Sequence, residues 1–122
     1  MLADSAWLLI AAATIGALLA VVQLQRPARP PIPWYISVVH GLIGAAGTAL
    51  MLAAPARAAA AATGAGAFRA IAAVLLLLAL AAGLWILRSR ITHHRLSFSV
   101  VGVHALLAIS GVVLLGAYLA AG

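Results

Sequence analysis

The 122-residue chain has no cysteine, no lysine and one acidic side chain, Asp4. Without cysteine it has no disulfides, iron–sulfur clusters or thiolate metal sites. Its one side-chain carboxylate sits at the start of the chain, so no acid completes a Ser-His-Asp constellation. Nor is there a mid-membrane acid of the kind that couples transport to protons or ions. Only 7% of residues are charged, against about 25% in soluble domains. No segment carries a polar stripe that would line a channel.

What is present is apolar sequence, 67% of the chain, gathered in four runs near 5–25, 34–54, 67–88 and 96–120. About 20 apolar residues cross the hydrocarbon core as a helix. Unbroken apolar runs lack the alternation of a β-barrel, and helices satisfy their own backbone groups in lipid. The expected fold is all-α: an integral membrane four-helix up-down-up-down bundle, one domain over residues 1–122. The first run reads as a spanning helix, not a secretory signal, because it is long and follows Asp4 where a signal has a basic start. Asp4 and Ser5 are its expected N-cap residues.

The proline-rich segment from Arg26 to Pro33 ends helix one, since four prolines in seven positions cannot continue it. Pro33 suits the first turn of helix two, with Trp34 and Tyr35 at headgroup depth. Pro55 ends helix two. Helix three closes on Trp85 and Arg88, the segment from Arg88 to Arg95 reads as a basic loop, and Tyr118 is the far-side aromatic of helix four. The net charge of +6 comes from seven arginines in loops and helix ends, where anionic headgroups, and not nucleic acid, are the natural partner. Arg26, Arg29, Arg88, Arg90 and Arg95 fall on one side, Arg57 and Arg69 on the other. The positive-inside rule makes the richer side cytoplasmic and puts both termini outside, as in a bacterial inner membrane.

The halves resemble each other. At an offset of 64, Val39, His40, Leu42, Gly47, Leu50 and Ala53 recur as Val103, His104, Leu106, Gly111, Leu114 and Ala117. This pattern suggests a duplicated helical hairpin with parallel repeats.

Ionisable groups within a membrane are functional candidates by default. Two histidines stand there, His40 and His104, on helices two and four, which run in the same direction. At 1.5 Å per residue both lie roughly 9–12 Å below the basic side. Helices two and four face each other diagonally in such a bundle, leaving room for a planar group between the imidazoles. Gly44 and Gly47 follow His40 on its face, and Ala108 and Gly111 follow His104; small residues there admit a flat macrocycle. Imidazole is a standard ligand for haem iron, and Arg29, Arg90 and Arg95 lie on the side where anionic haem propionates would point. Ser37 or a carbonyl is the expected partner for the second nitrogen of His40. A copper site lacks a third ligand, Met51 being about three turns away.

A plainer account exists for each feature. Paired histidines can serve as interhelical hydrogen-bonding glue, and small residues let helices approach closely with nothing between them. His93 and His94 read as solvated loop residues. Gln23 and Gln25 are candidates for a quinone headgroup contact or simply mark a helix end.

His40 with Gly47 and His104 with Gly111, in this topology, resemble the small four-helix transmembrane b-type cytochromes. The resemblance implies one haem b, its iron held by His40 and His104 near the basic face, exchanging electrons with a partner subunit or quinone. Such proteins often carry a second histidine pair; here the positions 13 residues on are Ala53 and Ala117, so a second haem is not expected. The expected role is an electron-transfer or accessory subunit more than a stand-alone enzyme, with membrane lipids and either partner membrane subunits or further copies of itself as neighbours. The alternative is a non-catalytic accessory subunit of a larger membrane complex, binding lipid or a chlorophyll-type pigment.

Overall fold

The computed structural model describes residues 1–25, 32–58, 62–92 and 98–121. Four helices account for nearly all of them: α1 (Leu2–Gln25), α2 (Trp34–Ala53), α3 (Gly66–Ile91) and α4 (Phe98–Ala120). Each is long and apolar enough to cross a membrane. The described residues contain no strand. The architecture is that of an integral membrane four-helix bundle.

Helix ends differ from the sequence expectation in two informative places. α1 begins at Leu2, so Asp4 and Ser5 lie inside its first turn instead of capping it. Asp4 pairs with the N-terminal amine at 2.7 Å. The Ser5 hydroxyl is buried and donates across to the Gly47 carbonyl at 2.8 Å; an interhelical bond has taken the group that would have capped. α3 continues one turn past Arg88 to Ile91, which puts Arg88 and Arg90 in its last turn. Cations are favoured there by the partial negative charge of the helix end. Pro33 stands just ahead of α2 with φ −54° and ψ 132°, an extended conformation that fixes where the helix begins. Gly64, at φ 74°, makes the turn into α3, a backbone region open to glycine at no steric cost.

α1 packs on α2 and α4, and α3 packs on α2 and α4. The helices thus form a ring in chain order, with α2 and α4 on one diagonal and α1 and α3 on the other. Equivalent residues of the two hairpins are buried alike. Ser5, Leu9 and Ala12 of α1 match Ala72, Leu76 and Ala79 of α3, 67 positions on. Gly47, Met51 and Ala54 match Gly111, Leu115 and Tyr118, 64 positions on. The offset shortens by three because the second hairpin has the shorter connection. A β-carbon on Gly47 would stand 2.8 Å from Leu9, and one on Gly111 2.7 Å from Leu76. In both hairpins a glycine admits the same leucine. The chain is a pseudo-twofold pair of hairpins about an axis along the bundle.

The core occupies only one half of this bundle. Every buried residue lies between the layer of Ala12, Gly47, Ala79 and Gly111 and the end carrying Arg57 and Arg69. That end is closed by arginines: Arg69 donates to the carbonyls of Met51 (2.9 Å) and Ala54 at the end of α2. Arg57 donates through its guanidinium to Leu119 O (3.3 Å) and through its backbone N–H to the Tyr118 hydroxyl (2.9 Å). Towards the basic end no described residue is fully buried. The bundle is tight at one end and loose at the other.

Candidate functional site

His40 and His104 stand at the boundary between these halves. Each lies six residues into its helix, after Trp34 and after Phe98, and each precedes the packed glycine of its helix by seven. At 1.5 Å per residue this is one layer, about 9 Å from the start of both helices. The rings face each other across the α2–α4 diagonal, centroids 6.1 Å apart and planes at 81°. Both side chains are partly buried.

His104 is oriented by the backbone of α3: its Nδ1 lies 2.8 Å from the Ala79 carbonyl. A carbonyl oxygen can only accept, so Nδ1 carries a proton and Nε2 is the nitrogen left for a ligand. This arrangement fixes the tautomer and orientation of a ligating histidine. His40 Nδ1 is buried and has no hydrogen-bond partner among the described residues. Ser37, expected as the partner of His40, does not supply one.

Two further residues shape the pair. A β-carbon on Gly16 of α1 would stand 2.8 Å from His40 Cε1, and one on Gly83 of α3 would stand 3.1 Å from His104 Cε1. Each imidazole therefore lies close against a glycine of the neighbouring helix, most tightly at Gly16. Sequence reasoning misses both glycines, although a signal for them exists. At an offset of 67, Leu9, Ala12 and Gly16 fall on Leu76, Ala79 and Gly83, whereas an offset of 64 aligns only α2 with α4.

The remaining expected site residues divide. A β-carbon on Gly44, one turn past His40, would stand 3.7 Å from Ala12 Cβ and 4.0 Å from Leu80 Cδ2, which is ordinary contact. Ala108 is its partly buried counterpart after His104. Gly47 and Gly111 are taken up by Leu9 and Leu76 and serve helix approach within each hairpin. Arg90 is on α3, seven residues beyond Gly83, with its Nη2 donating to the Gln23 side-chain oxygen of α1. Arg29, Arg95, His93 and His94 lie outside the described residues, as does the side chain of Gln25.

Chemically, the layer offers two imidazole nitrogens on opposite sides of the bundle axis. Among the described residues no three His, Cys, Asp or Glu side chains gather to hold a metal ion. A protein-only zinc or copper centre needs three or four such ligands, whereas haem iron takes two axial ones. The bundle's loose half begins at this layer, so the pair is not sealed in by side chains on the basic side. No family model matches the chain, and no curated protein or solved structure matches it.

Proposed function

We propose that the protein is a membrane b-type cytochrome, or the haem-bearing subunit of an electron-transfer complex, in which His40 and His104 are the axial ligands of one haem b. The observation that carries this reading is the 6.1 Å separation of the two rings across the bundle diagonal. With metal–imidazole bonds of about 2.0–2.1 Å and ring centres about 1.1 Å behind the nitrogen, two imidazoles sharing one metal have centroids about 6.2–6.4 Å apart. The residues fit the group in other ways. The Ala79 carbonyl holds Nδ1 of His104 and leaves Nε2 for a ligand, and Gly16 and Gly83 keep β-carbons away from both rings.

When bound, haem would supply a reversible, metal-centred one-electron couple. The protein's part is to fix two imidazoles in one layer, to exclude water through apolar helices, and to hold cations on one edge. Arg90, with Arg29 and Arg95 of the basic segments, is the set available to haem propionates. One haem near one face cannot carry electrons across the bilayer alone. Electrons are therefore exchanged at that face with a partner subunit or a quinone, in a bacterial inner membrane with the basic face cytoplasmic.

The test is a reduced-minus-oxidised absorption spectrum of the full chain purified in mild detergent, beside His40→Ala and His104→Ala. A sharp b-type band in the wild type that neither variant retains is the expected result. A colourless wild type from haem-replete cells would sink this reading and leave the accessory-subunit alternative.

A further inference from the structure

Arginine is used differently at the two ends of the bundle. Arg57 and Arg69 donate to backbone carbonyls at the ends of α4 and α2, and Arg88 is exposed. Arg90 is only partly exposed: one guanidinium nitrogen reaches the Gln23 oxygen across the α1–α3 diagonal, and its Nε–H is buried with no acceptor among the described residues. Gln23 and Arg90 are repeat equivalents, 67 positions apart, each seven residues beyond the glycine of its helix that lies against an imidazole. Equivalent residues that meet each other meet on the pseudo-twofold axis. The bridge therefore stands over the histidine pair, about 10 Å closer to the basic face.

A guanidinium stays charged at any relevant pH. The Gln23 oxygen satisfies one of its donors but not its charge. The only side-chain carboxylate, Asp4, is at the opposite end and already paired with the N-terminal amine. A partly buried cation without an internal counter-ion is costly, so its neutralisation has to come from outside the chain.

We propose that Arg90 and Gln23 form an oxyanion-binding site on the axis at the basic end of the bundle. Its ligand is a carboxylate or phosphate group, whose two oxygens match the Nε–H and Nη–H fork. The Gln23 amide adds a donor once it rotates. Two sources supply that chemistry. One is the phosphate of an anionic lipid, entering from the headgroup layer where Gln23 is exposed; the other is a carboxylate of the haem proposed above. Only the second source rests on the haem reading.

The experiment compares the wild type, Arg90→Gln and Gln23→Glu as full chains in detergent. Phosphatidylglycerol and phosphatidylcholine are scored by native mass spectrometry, and haem and its dimethyl ester by titration. Gln23→Glu sets a carboxylate against the guanidinium, so the site neutralises itself while the fold is kept; a melting temperature at or above wild type verifies this. At least one free anion, phosphatidylglycerol or haem, is expected to bind both variants about tenfold more weakly, as the loss of a charge-assisted pair implies. Phosphatidylcholine and the ester are expected to bind all three alike. Discrimination by phosphatidylglycerol alone identifies a lipid ligand, and by haem alone the cofactor carboxylate. If haem fails to bind the wild type at all, the phosphatidylglycerol arm still decides. Binding of both anions to the variants within about twofold of wild type overturns the site.

Discussion

Replacing Gly16 by alanine tests the imidazole layer at its tightest contact. The new methyl carbon would stand 2.8 Å from His40 Cε1 and 3.3 Å from Nε2. Ordinary contact begins at 3.4 Å, so the ring has to retreat by about 0.6 Å or the helices have to part. Among the described residues Nδ1 has no hydrogen bond to hold the ring in place. The ring is therefore expected to shift, and the 6.1 Å spacing of the pair is lost. Overpacking costs about 1–3 kcal/mol, and the better helix propensity of alanine offsets about 1 kcal/mol of that. The net loss of stability without haem is small, about 0–2 kcal/mol. Under the proposed haem ligation, misplacing His40 through this neighbour is expected to weaken haem binding about 10–100-fold. The control is Gly41→Ala, beside His40 in sequence but with nothing within 4 Å of its β-carbon. It is expected to keep wild-type haem affinity and a melting temperature equal or slightly higher. The assay is haem titration by absorbance, with detergent-solubilised melting curves alongside. Wild-type haem affinity in both Gly16→Ala and the larger Gly16→Val would refute the reasoning.

Three further outcomes follow from the packing. Leu76→Ala empties the volume against Gly111 in the buried half and should destabilise the bundle by about 2–5 kcal/mol in denaturant unfolding. Adding Gly111→Ala should return part of that loss, because the new methyl enters the space the leucine left; a strictly additive double variant would contradict the contact. Tyr118→Phe removes the acceptor of the Arg57 backbone N–H and should cost about 1–3 kcal/mol, read as a lowered melting temperature with an unchanged haem spectrum. Arg69→Gln strips the end of α2 of its donors to the Met51 and Ala54 carbonyls. It should lower stability by about 1–3 kcal/mol and raise amide hydrogen exchange in the last turn of α2.

The number of helices, their order and the facing of His40 and His104 were legible because each follows from length and direction alone. Apolar runs of spanning length had to be helices, and short connections forced sequential neighbours. Parallel α2 and α4 with equal spacing to their histidines then put both rings in one layer. The contacts between different helices were not legible in the same way. Apolar character surrounds each helix almost evenly in lipid, so hydrophobicity does not mark which face turns inward; Leu9 is buried while Ile10 and Leu18 are exposed. The acceptor for His104 was invisible for another reason. It is the Ala79 carbonyl, a group every residue has, and sequence reasoning looks for side chains such as Ser37. Helix ends misled where a tertiary partner competed, as when Gly47 took the Ser5 hydroxyl.

The duplication resolves part of this ambiguity and bears on function. A single offset of 64 pairs the histidines but misaligns α1 with α3, and only the second offset of 67 exposes Gly16 with Gly83 and Gln23 with Arg90. Once both registers are in place, the two ends of the bundle behave differently under the same symmetry. In the buried half, equivalent positions pack alike, with Leu9 and Leu76 filling glycine notches and Met51 and Leu115 enclosed. In the loose half, His40 and His104 meet across the axis as identical residues, whereas Gln23 and Arg90 meet there as one neutral and one charged. A twofold site with two identical cations would repel itself, and one with two amides would leave an anion unneutralised. One arginine opposite one glutamine gives a single positive charge on the axis above two imidazoles. That asymmetry suits a ligand that is symmetric at the histidines and carries its negative charge at one edge.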